Sequence, residues 1–225
     1  MASKNVLHII DHMGLGGAQN LLGAYFSQST DAPILLYVLR STTDQRLLSN
    51  QNNIIRSQHR NRLSLPLKQL HQIITRNNVD ILHLHLNKAI IVGLLYKILF
   101  KQKIKIIVHN HSLRTRWIRL VISFWKHHID HMVNVSDASR DLLLAHTGFP
   151  GEKTSVIPNF AILNTRCAST QVTDDRCVIG FLGRLSPEKG CEVLLRAMEH
   201  LPKERFVLRI AGAGVLQKYL QSEVN

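Results

Sequence analysis

Acid is missing from most of this 225-residue chain: no glutamate precedes Glu152, and residues 1–151 carry 7 aspartates against 18 lysines and arginines, a balance of +11. Residues 152–225 hold 10 bases and 8 acids, or +2, so nearly all of the formal charge of +13 lies in the first part. An excess so placed projects a positive field toward an anionic partner, whether a phosphorylated ligand, a lipid headgroup layer or nucleic acid. Cysteine is scarce too. Cys167, Cys177 and Cys191 are odd in number and form no C-x-x-C pair, which excludes a disulfide framework and a thiolate zinc site and fits a reducing cytosol. Long apolar runs are absent. The longest, Ala89 to Phe100, has 12 residues and carries Lys97, too short to span a bilayer and suited to a buried helix. The N-terminus has one lysine and then a strand-like stretch broken by Asp11 and His12, unlike a signal peptide. Six prolines and twelve glycines exclude a fibrous protein, and 45% hydrophobic residues suffice for a packed core. At roughly 150 residues per domain, the length corresponds to about one and a half domains.

What is present is a repeated strand, loop and helix. Val6 to Ile10 reads as a strand, followed by a glycine loop and a helix from Ala18 to Phe26. Strands are expected at Ile34 to Leu39, Ile54-Ile55, Asp80 to His85, Ile104 to His109, His131 to Val135 and Thr154 to Ile157. Helices are expected near Leu65 to Thr75, Lys88 to Phe100 and Leu113 to Ile129, with another opened by Ser136 and Asp137. Continuous apolar strands alternating with helices mean an α/β, doubly wound parallel sheet covered on both faces. From Phe160 the periodicity fades. Residues 161–175 read as a linker between a first domain, 1–160, and the start of a second, 176–225. That second part shows a strand Cys177 to Leu182, a helix Cys191 to His200, a strand Phe206 to Ile210 and a helix beginning at Val215.

Two loops have the character of anion sites. Gly14-Leu15-Gly16-Gly17-Ala18-Gln19 lies between the first strand and helix, where backbone N–H groups and a helix N-terminus attract negative charge. A dinucleotide fingerprint would need glycine or alanine at Gln19 and an acid near Leu39-Arg40-Ser41, so an NAD site is disfavoured, and a tight turn without ligand stays open. In Gly183-Arg184-Leu185-Ser186-Pro187-Glu188-Lys189-Gly190, Arg184 offers a bidentate fork and Lys189 a point charge at a strand's carboxyl end, as a diphosphate requires. A surface ion pair of Arg184 with Glu188 is the plainer alternative.

Gly183-Arg184-x-x-x-Glu188-Lys189-Gly190 resembles the donor-phosphate signature of retaining GT-B glycosyltransferases of the glycosyl transferases group 1 family. Gly16-Gly17-Ala18-Gln19 is similar to that family's Gly-Gly-Ala-Glu loop, Val135-Ser136 and Val156-Ile157-Pro158-Asn159 to the end of its first domain, and Ile210-Ala211-Gly212-Ala213-Gly214 to its second donor-domain strand and loop. The resemblance implies two Rossmann-like domains, the first for the acceptor and the second for a nucleotide sugar, with UDP the expected nucleotide. It implies no D-x-D motif, no metal and no cofactor. Arg184 and Lys189 would neutralise the donor diphosphate, Gly183, Gly16 and Gly17 would approach its phosphates, and Gly212 and Gly214 would lie near the base. Transfer would retain the anomeric configuration. The partners implied are a nucleotide-sugar donor and a glycan or lipid-linked acceptor in polysaccharide, capsule, lipopolysaccharide or glycolipid assembly, at the cytoplasmic membrane face. The family also holds its donor with two glutamates about two helical turns apart, and Glu223 is the last acid present. A truncated, inactive chain acting as a binding or membrane-associated protein is therefore the competing expectation.

His83 and His85 fall two apart on one strand, and His109 and His111 bracket the end of the next. Both pairs reach strand carboxyl ends, where this fold places ligands, and a two-strand zinc site is geometrically possible although no acid or thiolate lies near. The resemblance implies that His109 is the active-site histidine, with His111 second. Gln19 and His85 are weaker acceptor-side candidates, and His85 also suits a buried core position. In the expected helix after residue 113, Arg116, Arg119, Ser123 and Lys126 share one face, and Leu113, Trp117, Leu120, Val121 and Phe124 the other. Such a helix docks on anionic lipid or simply packs on a sheet. No recognition-helix, RNP-like or aromatic-platform pattern accompanies the basic charge, so nucleic acid is not an expected partner.

Overall fold

The computed structural model describes residues 4–14, 16–28, 34–40, 53–57, 66–100, 103–111, 115–160 and 175–223. Two compact units emerge, Met1–Leu163 and Asn164–Asn225. The expected linker, apart from Asp175, lies outside the described residues, as do Leu15, Leu113 and Cys167.

The first unit carries strands β1 (Val6–Ile10), β2 (Ile34–Val38), β3 (Ile54–Arg56), β4 (Ile81–His85), β5 (Lys105–Asn110), β6 (His131–Asn134) and β7 (Thr154–Val156). Its helices are α1 (Gly17–Gln28), α2 (Leu67–Arg76), α3 (Asn87–Leu99), α4 (Arg116–Trp125) and α5 (Asp137–Thr147). The strands form one sheet in the order β3-β2-β1-β4-β5-β6-β7, and every neighbouring pair is parallel. The order reverses between β1 and β4. In open α/β sheets the crevice beyond such a reversal is where ligands bind.

Alternation along the strands assigns the two faces. Leu7, Ile9, Leu82, Leu84, Ile106 and Val108 point to a core shared with α2, α3 and α4, through Leu70, Ile90, Val92, Ile118 and Ile122. The approach of α3 is close: a Cβ added at Gly93 would stand 2.5 Å from Leu84 Cδ1. The opposite face is different. Ile10, Leu36 and Val38 pack under Leu22 and Phe26 of α1, but the next positions across the sheet, His8, His83, His85 and His109, are imidazoles. They line a cavity of about 400 Å³ together with residues of α1 and with Ile157, Pro158 and Phe160.

The expected helix from Leu113 to Ile129 begins at Arg116 and ends at Trp125, and Lys126–His128 tighten into a 3-10 turn. Only Ile118 and Ile122 of α4 are fully buried, while Trp117, Leu120 and Phe124 are 45%, 70% and 80% exposed. Of the apolar face read from the sequence, Trp117, Leu120 and Phe124 thus face solvent while Val121 packs against the core. At the start of α5, Ser136 Oγ accepts the Ser139 N–H at 3.2 Å, the N-cap its sequence announces.

In the second unit β8 (Cys177–Leu182) and β9 (Phe206–Ala211) pair in parallel, with α6 (Cys191–Met198) and α7 (Gln217–Glu223). Leu185, Cys191 and Leu220 form its buried cluster. Among the described residues no helix is long and apolar enough to cross a membrane.

Candidate active site at the strand carboxyl ends

Asp11 follows β1 directly and is buried at the reversal of strand order. Its carboxylate accepts the backbone N–H of Lys88 at 3.1 Å and of Ala89 at 2.7 Å. Those are first-turn donors of α3, whose N-cap, Leu86, has φ of +70° and supplies no side-chain cap. Asp11 therefore caps α3 from another strand, satisfying donors a helix start otherwise leaves open. Burial pushes its pKa up, against the lowering effect of these bonds and of the nearby Arg40 and His12. The Lys88 ammonium is pulled down by burial and by repulsion from Arg40. Sequence reading missed this cluster, although Asp11 stands at the end of an apolar strand, the one available signal.

Gly14 donates its N–H to His12 Nδ1 at 3.2 Å, so the glycine loop folds back on itself. Gln19 turns inward and is buried, with Nε2 3.5 Å from His12 Nδ1, and a Cβ at Gly16 would run into its Oε1. Gly17 is exposed at the start of α1 with open space around it.

The histidines converge. His85 Nε2 lies 3.0 Å from His8 Nδ1, and His85 Nδ1 lies 3.0 Å from His111 Nε2. His109 and His111 stack with ring centroids 4.2 Å apart and planes 1° from parallel. Among the described residues, both nitrogens of His109, Nδ1 of His111 and Nε2 of His83 are buried without a hydrogen-bond partner. Burial holds the pKa of His109 down to about 4, and burial together with the neighbouring His109 holds His111 down to about 3. His83 and His85 are lowered by burial and by the other imidazoles, and His8 to about 4 by burial and His109. Neutral imidazoles each offer one N–H and one lone pair, so His109 can bond a substrate hydroxyl in either sense. The fifth member, His8, had no sequence signal beyond being polar in an apolar strand.

In the second unit, Gly183 follows β8 and Pro187–Lys189 form a 3-10 turn that leads through Gly190, at φ +71°, into α6. Arg184 and Lys189 are exposed. Arg184 Nη1 stands 3.9 Å from Glu188 Oε1, the surface ion pair considered from the sequence, and an exposed pair of that length contributes little. Gly212 and Gly214 have a structural reason to be glycine. A Cβ on Gly212 would overlap Gly183 O and one on Gly214 would overlap Leu185 O. The two loops thus extend the pairing of β8 and β9, with Leu185 N–H donating to Ala213 O at 3.0 Å.

The profile of Glycosyltransferase Family 4 matches residues 37–164, and that of Glycosyl transferases group 1 matches residues 167–225. Among curated proteins, the Saccharomyces cerevisiae phosphatidylinositol N-acetylglucosaminyltransferase GPI3 subunit is 24% identical over 117 residues, covering 49% of this chain and 26% of that protein. Among solved structures, Anabaena HepE in complex with UDP and glucose superposes with a TM-score of 0.75 at 18% identity, over 98% of this chain and 65% of that one. Sucrose-phosphate synthase from Thermosynechococcus elongatus gives 0.69 at 16% identity, over 93% and 62%. The lipopolysaccharide outer core galactosyltransferase WaaB gives 0.69 at 15%, over 97% and 63%. At these identities the likeness is one of fold. The chain spans about a quarter of the curated relative and under two thirds of these structures.

Proposed function

The chain belongs to Glycosyltransferase Family 4, among the GT-B glycosyltransferases, and from that premise we propose that it transfers a sugar from a UDP-sugar to a glycan or lipid-linked acceptor, with retention of configuration. The observation that carries this reading is the turn from Gly183 to Gly190. It presents Arg184 and Lys189, both solvent-facing, at a strand's carboxyl end and ahead of a helix N-terminus. Two cations there neutralise the charge that builds on a departing diphosphate, and the helix N-terminus adds to that potential. HepE, similar in fold, is a protein solved with UDP.

In this reading residues 1–160 form the acceptor side, 161–175 the linker and 176–225 the donor side. His109 bonds the transferred sugar through its unpartnered nitrogens, and Gly16 and Gly17 let backbone N–H groups reach the donor phosphate. Attack takes place on the face the diphosphate leaves, and the departing phosphate oxygen accepts the acceptor's proton. The acceptor is anionic or lipid-borne. The +11 charge of residues 1–151 attracts it, and α4 turns Trp117, Leu120 and Phe124 outward beside Arg116 and Arg119, as a helix lying on an anionic membrane does. The setting is glycolipid or surface-polysaccharide assembly at the cytoplasmic membrane face.

Calorimetry of the full chain with UDP and UDP-sugars tests the donor half. Saturable binding is expected, weakened roughly tenfold or more in Arg184→Ala/Lys189→Ala, since each charged hydrogen bond is worth about 1.5–3 kcal/mol. Absence of heat with every nucleotide sugar would sink the reading.

A further inference from the structure

The imidazoles around the β1–β4 reversal bring more nitrogen than the protein satisfies. Two contacts of 3.0 Å join His8, His85 and His111, and they leave Nδ1 and Nε2 of His109, Nδ1 of His111 and Nε2 of His83 buried and unpartnered. One ring nitrogen from each of His85, His109 and His111 lies within 4.8 Å of the other two, and the same holds for His8, His83 and His85. A tetrahedral zinc ion with bonds of about 2.0–2.1 Å sets its ligand nitrogens roughly 3.3 Å apart. The nitrogens, within 4.8 Å of one another, therefore have to close in, and the stacked rings of His109 and His111 have to turn so that their in-plane lone pairs converge on the ion.

We propose that His85, His109 and His111 form a binding site for a borderline transition-metal dication of the zinc class, with its fourth position open to water. Three neutral imidazoles without a carboxylate select zinc, nickel or copper over magnesium and calcium, which require oxygen ligands. His85 is pre-oriented for this role: with Nδ1 toward His111, its Nε2 faces His8 Nδ1, the outer hydrogen bond that fixes the tautomer of a ligating histidine. His111 is half-buried just beyond β5, which gives the ion a way in. The alternative triad is deeper, with His8 packed against the rings of Tyr25 and Phe26 at 5.7 and 5.5 Å. On binding, the proton between His85 and His111 passes to His111 Nδ1, its unpartnered nitrogen, so that Nε2 can ligate. An ion held here occupies His109, so the site is inhibitory toward sugar transfer and plays no part in it.

The test uses the full chain stripped of metal, titrated with zinc chloride by calorimetry and with cobalt chloride by visible absorption. One ion per chain is expected, with the d–d bands of a four-coordinate cobalt site and zinc absorption fine structure showing three imidazoles. Binding should weaken at least roughly tenfold in His111→Ala and stay unchanged in His127→Ala/His128→Ala, which removes two exposed histidines elsewhere. Circular dichroism verifies that His111→Ala is folded, and His109→Gln provides a second ligand deletion of similar volume. No bound ion, unchanged affinity in both ligand variants, or loss confined to His8→Ala and His83→Ala overturns the assignment. None of these readouts involves a sugar, so they stand or fall apart from the transferase reading.

Discussion

At the scale of single residues, the site rests on side chains whose surroundings do not satisfy them. His109, next to last in β5, has two buried nitrogens and no partner, a free-energy cost of about 1–3 kcal/mol for each group that is left unpaired. In the transferase reading that cost is recovered when a sugar hydroxyl bonds the ring. His109→Ala is accordingly expected to lower sugar transfer by roughly 10²–10³-fold while UDP binding, carried in this reading by Arg184 and Lys189, changes little. The check is UDP release in an acceptor-dependent assay beside calorimetry with UDP. Wild-type turnover in the variant removes His109 from the mechanism.

Elements decide what those residues face. The β1–β4 reversal brings the ends of two strands and the N-terminus of α3 together, and Asp11 ties them by accepting two N–H groups of α3. The same logic of faces governs α4. Its sequence period put Trp117, Leu120 and Phe124 on one apolar face, suited to docking on lipid or to packing on the sheet; Ile118 and Ile122 take the inward place and the larger side chains stay exposed. Both stripes are apolar, so periodicity alone gave no reason to prefer one. Burying the exposed trio in a bilayer interface removes apolar area from water at about 25 cal/mol per Å². Leu120→Ser/Phe124→Ser should therefore reduce cosedimentation with anionic vesicles several-fold at low salt. Equal binding of variant and wild type would show that α4 is not the contact.

For the first unit as a whole, Asp130 is a fastening point at the start of β6. It accepts from Lys97 of α3 at 2.7 Å, Lys105 of β5 at 2.9 Å and the Ile106 N–H at 2.9 Å. Burial would raise its pKa, but the bonds from Lys97, Ile106 and Lys105 outweigh that and hold it down to about 2. Its folded pKa lies below the unfolded one, so the stabilisation is complete above the ordinary carboxylate range and disappears as pH falls through about 4 toward 2. Asp130→Asn is expected to cost about 1–2 kcal/mol in urea unfolding at pH 7, with the gap to wild type closing below pH 4. A gap that is constant with pH would mean the charge is not what matters.

The sequence by itself determined the succession of strands and helices, because apolar runs and glycine turns are local signals. It also determined the Gly183–Gly190 turn, whose chemistry lies in eight consecutive residues. It placed His83, His85, His109 and His111 near strand ends, since position along a strand follows from where the apolar run stops. Only the tertiary structure decided that these four meet His8. Register across three parallel strands is set by long-range pairing, in which His8 stands opposite His83 and His85 opposite His109. Nor could sequence tell that Asp11 serves a helix that begins 76 residues later at Asn87, that Gln19 turns inward, or that Gly212 and Gly214 are small because Gly183 and Leu185 press against them. Contacts between segments distant along the chain exist only once the sheet has ordered its strands, and no local pattern records them.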